Sequence, residues 1–491
     1  MTTAHQVADS VCTVADLAFG PQLHRISGVH PTDATFGAPQ LRDLAARVGG
    51  SFSASANDGR PVVVAVLLPQ GPQLAAALLA VMSCATALPI NPKLSATEIE
   101  FTLVDANATI MLTQAGFHPV AETVGTRLGL RMLDLHSLDG QPRGEWVPNA
   151  NDTALMLHTS GTTARPKLVP LTHRNLCASA TAVAAAMQLG HDDCGLAVMP
   201  LFHIHGIVGS LLSSLAAGAH VRVAKFDAFA VQRQLHDFDC TWMSAVPTMY
   251  QAMLLRPPGD QLARLRAVRS SSSPLPTEVW RRLQDRLGCT VVNSYGMTEA
   301  AHQMASTGIP GDADLCGSVG LAAGPEIAVL SESGSISATG HGELVIRGAS
   351  VTAGYLSPSG ANDQSRIDGW FRTGDTGSIS DRHVIHLLGR LKELINVGGE
   401  KVSPFEVDDA LLSHPMVSEA VTFAMPSVLL GEEVQAVVTL TGDVDEAQLR
   451  RHARLRLAKF KTPVRIHIVD AIPTGPTGKV QRLHLPKQLG L

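Results

Sequence analysis

His158-Thr159-Ser160-Gly161-Thr162-Thr163-Ala164-Arg165-Pro166-Lys167 follows directly on the apolar run Ala154–Leu157. A strand runs into a loop of hydroxyls and small residues that ends on a lysine. Such a loop offers backbone N–H groups, serine and threonine hydroxyls and one cation, the donors a polyphosphate needs. It is not a Walker A loop, because GxxxxGK[ST] is absent. The same alternation surrounds it. Val62–Leu68 reads as a buried strand, Gln73–Cys84 as an alanine-rich helix, and Ala108–Leu112, His220–Val223, Trp242–Val246 and Thr290–Asn293 as further strands. Strands alternating with helices predict α/β layers with mostly parallel strands.

From Glu326 the texture changes. Glu326–Leu330, Gly342–Arg347 and His383–Leu388 are shorter strand-like runs between Gly- and Ser-rich turns, which predicts a β-rich subdomain or small barrel. After Gly389-Arg390 it changes again. A helix over Pro404–His414, strands at Val421–Ala424, Val434–Leu440 and Ile466–Val469, and a basic amphipathic helix over Asp445–Leu457 make a compact α+β module. At about 100 residues it has an ordinary domain size. The expected organisation is a large N-terminal domain of α/β layers over residues 1–389, a hinge at 390–392 and a small mobile domain over 393–491.

Composition removes several classes of function. The chain has 491 residues and a net charge of −5, with 38 Lys plus Arg against 43 Asp plus Glu, so nothing drives it toward nucleic acid or an anionic membrane. At 45% hydrophobic and 16% charged residues it folds rather than staying disordered, and 4% aromatics argue against base-stacking platforms. Cysteines at 12, 84, 177, 194, 240, 289 and 316 form no CxxC pair, so neither a disulfide framework nor a zinc site is indicated. The expectation is buried thiols in the cytoplasm. The apolar stretch Leu74–Ile90 is short for a membrane span and interrupted by Ser83, Cys84 and Thr86. Met1–Gly20 lacks the pattern of a secretory signal.

Further chemistry-bearing strings follow in order. Asn293-Ser294-Tyr295-Gly296-Met297-Thr298-Glu299 presents a ring, a hydroxyl and a carboxylate at a strand end. Trp370-Phe371-Arg372-Thr373-Gly374-Asp375 places an acid after a tight turn, where it suits two ribose hydroxyls. Gly389-Arg390-Leu391-Lys392-Glu393 and Gly398-Gly399-Glu400-Lys401-Val402-Ser403-Pro404 come next, and Pro473-Thr474-Gly475-Pro476-Thr477-Gly478-Lys479 carries a lysine on a Gly-rich loop.

These motifs, in this order, resemble the adenylate-forming superfamily of acyl-CoA synthetases, luciferases and peptide-synthetase adenylation domains over nearly the whole chain. The resemblance implies that ATP, Mg2+ and coenzyme A are bound and that an acid is joined to CoA through an acyl-adenylate. By it, Thr159, Ser160, Gly161, Thr162, Thr163 and Lys167 hold the β- and γ-phosphates, while Thr298 and Glu299 contact phosphate and the metal. Tyr295 stacks on adenine and Ser272-Ser273-Pro274 lines the same base; Asp375 and Arg390 hold the ribose. Lys479 touches the acid carboxylate and the α-phosphate, Lys392 is the hinge, and Gly398 and Gly399 border the pantetheine channel. Ala164 and Leu168 depart from the usual glycines of the phosphate loop, and Leu168 is expected to reshape the loop exit.

Within the superfamily, Phe202-His203-Ile204-His205-Gly206, Thr298-Glu299-Ala300-Ala301-His302-Gln303-Met304 and the Gly398–Pro404 string are most similar to oxalate–CoA ligases. That similarity implies His205, Ser272 and His302 as ligands of a dianion. Its second carboxylate cannot be buried unpaired. Imidazoles and hydroxyls can donate to it, and a dianion favours protonated histidine. Ligation of another short- or medium-chain or aryl acid, and non-catalytic nucleotide binding, are the alternatives.

Overall fold

The computed structural model describes residues 12–20, 24–30, 32–52, 62–138, 148–159, 166–259, 262–311, 313–473 and 480–491. Four sheets organise them. In the first, strands Arg131–Asp134, Ile110–Thr113, Val63–Leu67, Thr86–Pro89 and Thr153–Thr159 run parallel, and Lys167–Thr172 closes the edge antiparallel. The second has nine strands. Its parallel centre is Ala267–Ser270, Trp242–Ala245, Cys194–Ala197 and His220–Val223, flanked by Thr290–Met297, which then pairs antiparallel with His302–Ser306.

The helices Pro72–Met82 and His173–Ala186 lie between these two sheets. Every residue of Pro72–Met82 except Gln73 is buried. A helix covered on all sides must be apolar all round. Its four alanines and the absence of aromatics let the flanking strands approach closely. Thus the apolar stretch read as a buried helix plus strand is one, and among the described residues no helix is long and apolar enough to cross a membrane. Thr172 caps His173–Ala186 through a reciprocal box with Asn175, whose amide also donates to the carbonyls of Ala349 and Val351 at 2.8 and 3.2 Å. Those bonds tie the parallel layers to the third sheet.

The third sheet, antiparallel, contains Glu326–Leu330, Gly340–Arg347, Trp370–Ile379 and Ile385–Arg390. The fourth begins at Ile395 and carries its own core around Val407, Leu411, Val434, Ala436, Val438 and Leu449. The helix Pro404–Leu412, capped by Ser403, packs on this sheet. Contacts to the larger part run through Asp409, which accepts from the Thr277 N–H at 2.9 Å, and Lys401, paired with Glu332 at 2.6 Å. All seven cysteines are free thiols, but only Cys177 and Cys240 are fully buried; the other five are half-buried, short of the expectation.

Candidate active site

The quoted loop joins two strands of a hairpin in which Thr159 stands opposite Lys167. Ser160, Gly161, Thr162, Thr163 and Ala164, like Lys479, lie outside the described residues. The Lys167 ammonium sits 4.3 Å from the centroid of the Tyr355 ring, a cation–π contact. The Tyr355 hydroxyl in turn donates to Glu299 Oε1 at 2.8 Å. Burial and the Glu299 carboxylate push the Tyr355 phenol far above its usual range, so it stays a donor. Glu299 is buried on a single 3-10 turn, Thr298–Ala300, at the end of Thr290–Met297. Leu168 is also buried, in one apolar cluster with Met156, Ile99 and Leu88, and its N–H donates to the Ser357 carbonyl at 2.9 Å. It is a core residue at the start of the strand Lys167–Thr172.

A second group forms where three segments meet. Asp375 and Arg390 face each other across antiparallel strands. Arg390 Nε lies 2.9 Å from Asp375 Oδ1, and the Tyr295 hydroxyl donates to Oδ2 at 2.5 Å. Asp375 raises the Arg390 pKa further, while burial first and Asp375 second raise that of Tyr295 well above its ordinary value. This clamp fixes the Asp375 carboxylate between a guanidinium and a phenol.

The third group gathers at the carboxyl ends of the parallel strands of the second sheet, where ligands bind in open α/β sheets. His205 Nδ1 lies 2.9 Å from Ser272 Oγ, and its Nε2 lies 2.7 Å from Ser244 Oγ. His205 stacks on His302, with centroids 4.8 Å apart and planes at 21°. Both rings are buried. The backbone is bent to deliver them. Ser272, Ala301 and His302 have φ of +73°, +49° and +108°, unusual for residues other than glycine. Such strain, about 1–3 kcal/mol each, persists where the surroundings over-determine it. The chain carrying His205 continues as π-helix over Ile207–Leu212, a form concentrated at functional sites. Ser273 is half-buried beside Ser272, and the buried hydroxyls of Ser270 and Ser271 have no hydrogen-bond partner among the described residues.

Sequence reasoning missed four residues here. Ser244 links His205 to Arg269, whose Nη1 also lies 3.0 Å from His302 Nε2. Gly209 faces both imidazoles: a Cβ there would stand 2.5 Å from His302 Nε2 and 2.9 Å from His205 Cδ2. Tyr355 is the fourth. The available signal was Arg269, a charge inside the otherwise apolar or small run Ala267-Val268-Arg269-Ser270 of a central parallel strand.

Lys392 is exposed in the turn between Ile385–Arg390 and Ile395–Val397. Gly398 and Gly399 are exposed at the next hairpin, where φ of +61° and +97° disfavours any side chain. Arg482 pairs with Asp408 at 2.9 Å and approaches Glu393 at 3.5 Å, holding the chain's C-terminal segment near the Lys392 turn.

Comparison with known proteins gives the family of the chain. Residues 29–356 match the AMP-binding enzyme family and residues 406–479 match the AMP-binding enzyme C-terminal domain. An oxalate–CoA ligase of Arabidopsis thaliana is 38% identical over 469 residues, covering 90% of this chain and 91% of its own. A sulfoacetate–CoA ligase of Cupriavidus necator is 35% identical, covering 92% of each. The o-succinylbenzoate CoA synthetase of Bacillus subtilis with its acyl-adenylate intermediate superposes with a TM-score of 0.85 at 26% identity, covering 96% of this chain and 97% of that one. The same enzyme with ATP and magnesium ion gives 0.83 at 27%, covering 96% and 98%. Matched over most of its length by family, relatives and fold, the chain belongs to the AMP-binding enzyme family and is an AMP-forming acid–thiol ligase of the adenylate-forming superfamily.

Proposed function

We propose that the protein joins oxalate to coenzyme A at the expense of ATP. The observation that carries this reading is the meeting of His205, Ser272 and His302 in one cluster around two buried imidazoles. The acid would lie against imidazoles and serine hydroxyls rather than apolar side chains, a lining that suits a dianion, which accepts hydrogen bonds, and not a fatty acid tail.

The phosphates of ATP lie along the loop from Thr159 through Ser160, Gly161, Thr162 and Thr163 to Lys167 in this reading. The adenine lies against Tyr295 and the turn at Ser273, and the ribose hydroxyls bond to Asp375, which Arg390 orients. Glu299, aimed by Tyr355, suits a magnesium ion together with the Thr298 hydroxyl, since a buried carboxylate on a fixed donor is a hard-cation ligand. Bound there, the ion supplies neutralisation of charge gathering on the phosphates. One oxalate oxygen attacks the α-phosphorus, pyrophosphate leaves, and Lys479 offsets the charge that develops. Fixing both anions in line removes much of the entropic barrier.

The CoA thiol then attacks the oxalyl carbonyl and AMP leaves. In this reading the pantetheine passes Gly398 and Gly399, after residues 393–491 have turned about the 390–392 hinge at Lys392 against the domain of residues 1–389. The exposed turn at Lys392 supports that motion. A cytoplasmic location is proposed with it, supported by seven free cysteines.

The test is acid-dependent pyrophosphate release over oxalate, malonate, sulfoacetate, benzoate and octanoate. Oxalate is expected to lead. Equal rates with octanoate and oxalate would refute the polar pocket.

A further inference from the structure

Behind the two imidazoles lies a buried guanidinium. Arg269 is fully buried on the strand Ala267–Ser270. Its Nη1 donates to Ser244 Oγ at 3.1 Å and to His302 Nε2 at 3.0 Å, and its Nη2 donates to Gln303 Oε1 at 3.0 Å. Among the described residues its buried Nε has no hydrogen-bond partner. Every acceptor is neutral, and among the described residues no carboxylate forms an ion pair with it. An isolated buried charge is costly, which is why such charges are normally paired. Burial lowers its pKa to about 9, which still leaves it charged at neutral pH.

The hydrogen bonds also fix a tautomer. Guanidinium only donates. His302 Nε2 therefore accepts, and the ring hydrogen sits on Nδ1. While that bond stands His302 is not an imidazolium, so the fixed charge of the pocket is on the arginine rather than on this histidine. Gln303 is held the same way, because its amide nitrogen donates to the Ala323 carbonyl at 2.9 Å and leaves Oε1 for Arg269. Through Ser244 the same guanidinium anchors His205.

We propose that Arg269 is the specificity-determining and positioning residue of the acid subsite: it supplies the positive charge that selects an acid with a second anionic group, and it holds His302 as an Nδ1–H donor. This rests on the dianion reading above and adds to it the group that selects the charge.

The test compares wild type, Arg269→Met and Arg269→Lys with oxalate and with acetate. In Arg269→Met, kcat/KM for oxalate is expected to fall about 100-fold and that for acetate less than about threefold, with KM for ATP within about twofold. Arg269→Lys keeps the charge and is expected to retain about tenfold more discrimination than the methionine variant. Equal losses for both acids, or a folded lysine variant no better than methionine, would overturn the proposal. Should Arg269→Met fail to fold, 15N NMR of wild-type His302 decides: a proton on Nδ1 supports it and one on Nε2 overturns it. A wild type that prefers malonate or sulfoacetate to oxalate refutes the choice of oxalate alone, and the variants are then compared on that acid. A wild type that prefers acetate to every dianion refutes both.

Discussion

Replacing Gly209 by alanine tests whether the imidazole pair is held as rigidly as the geometry implies. The added Cβ would meet His302 Nε2 at 2.5 Å and its Cδ2 at 2.8 Å. Ordinary non-bonded contact lies at about 3.5 Å or beyond, so one partner must give by about 1 Å. His302 cannot yield freely: Arg269 holds its Nε2 at 3.0 Å, His205 covers its face, and its backbone is bent to φ +108°. A displacement of about 1 Å in a positioned group costs about 100-fold in rate. At about 1.36 kcal/mol per tenfold this is about 2.7 kcal/mol of transition-state stabilisation. Stability changes less, because overpacking at about 1–3 kcal/mol is opposed by the roughly 1 kcal/mol that alanine gains over glycine in a helix. Acid-dependent pyrophosphate release should therefore show kcat/KM for the acid down about 100-fold while the urea midpoint moves modestly. Wild-type kinetics in a folded Gly209→Ala protein would refute the claim of a rigid imidazole pair.

Tyr355→Phe keeps the ring beside Lys167 but removes the 2.8 Å bond to Glu299. At about 1–3 kcal/mol for an unsatisfied buried acceptor, KM for magnesium–ATP should rise about tenfold, and an unchanged value would remove Tyr355 from the site. His173, buried and accepting from the Val14 N–H at 3.1 Å, has its pKa lowered by burial from 6.5 to about 4. Its contribution is complete above 6.5 and is lost as pH falls toward 4, because the unfolded chain binds the proton first. Urea titrations should show stability falling over that window, with a shallower slope in His173→Asn; identical slopes would contradict it. Lys479→Ala should abolish adenylation but spare thioester formation from preformed adenylate, and Lys392→Pro should do the reverse. Equal loss of both half-reactions in either variant would refute its assigned role.

The order of the motifs and the class of fold were legible in the sequence, because each depends on contiguous residues. Apolar runs ending in Gly, Ser and Thr mark the strand ends, and an alanine-rich helix bounded by Pro72 reads as buried without any knowledge of its neighbours. His205, Ser272 and His302 could be singled out because the strings around them resemble those of oxalate–CoA ligases. What surrounds them could not be. Ser244, Arg269 and Gly209 reach the imidazoles from separate segments, and Tyr355 reaches Glu299 from a loop beyond the third sheet's first strands. Leu168 looks like a loop residue in the string and is core in three dimensions. Backbone propensity is written locally, whereas burial and hydrogen-bond partnership arise only when distant strands are set side by side. An arginine's charge is therefore visible in the sequence, but which groups stand beside it is decided by the tertiary structure.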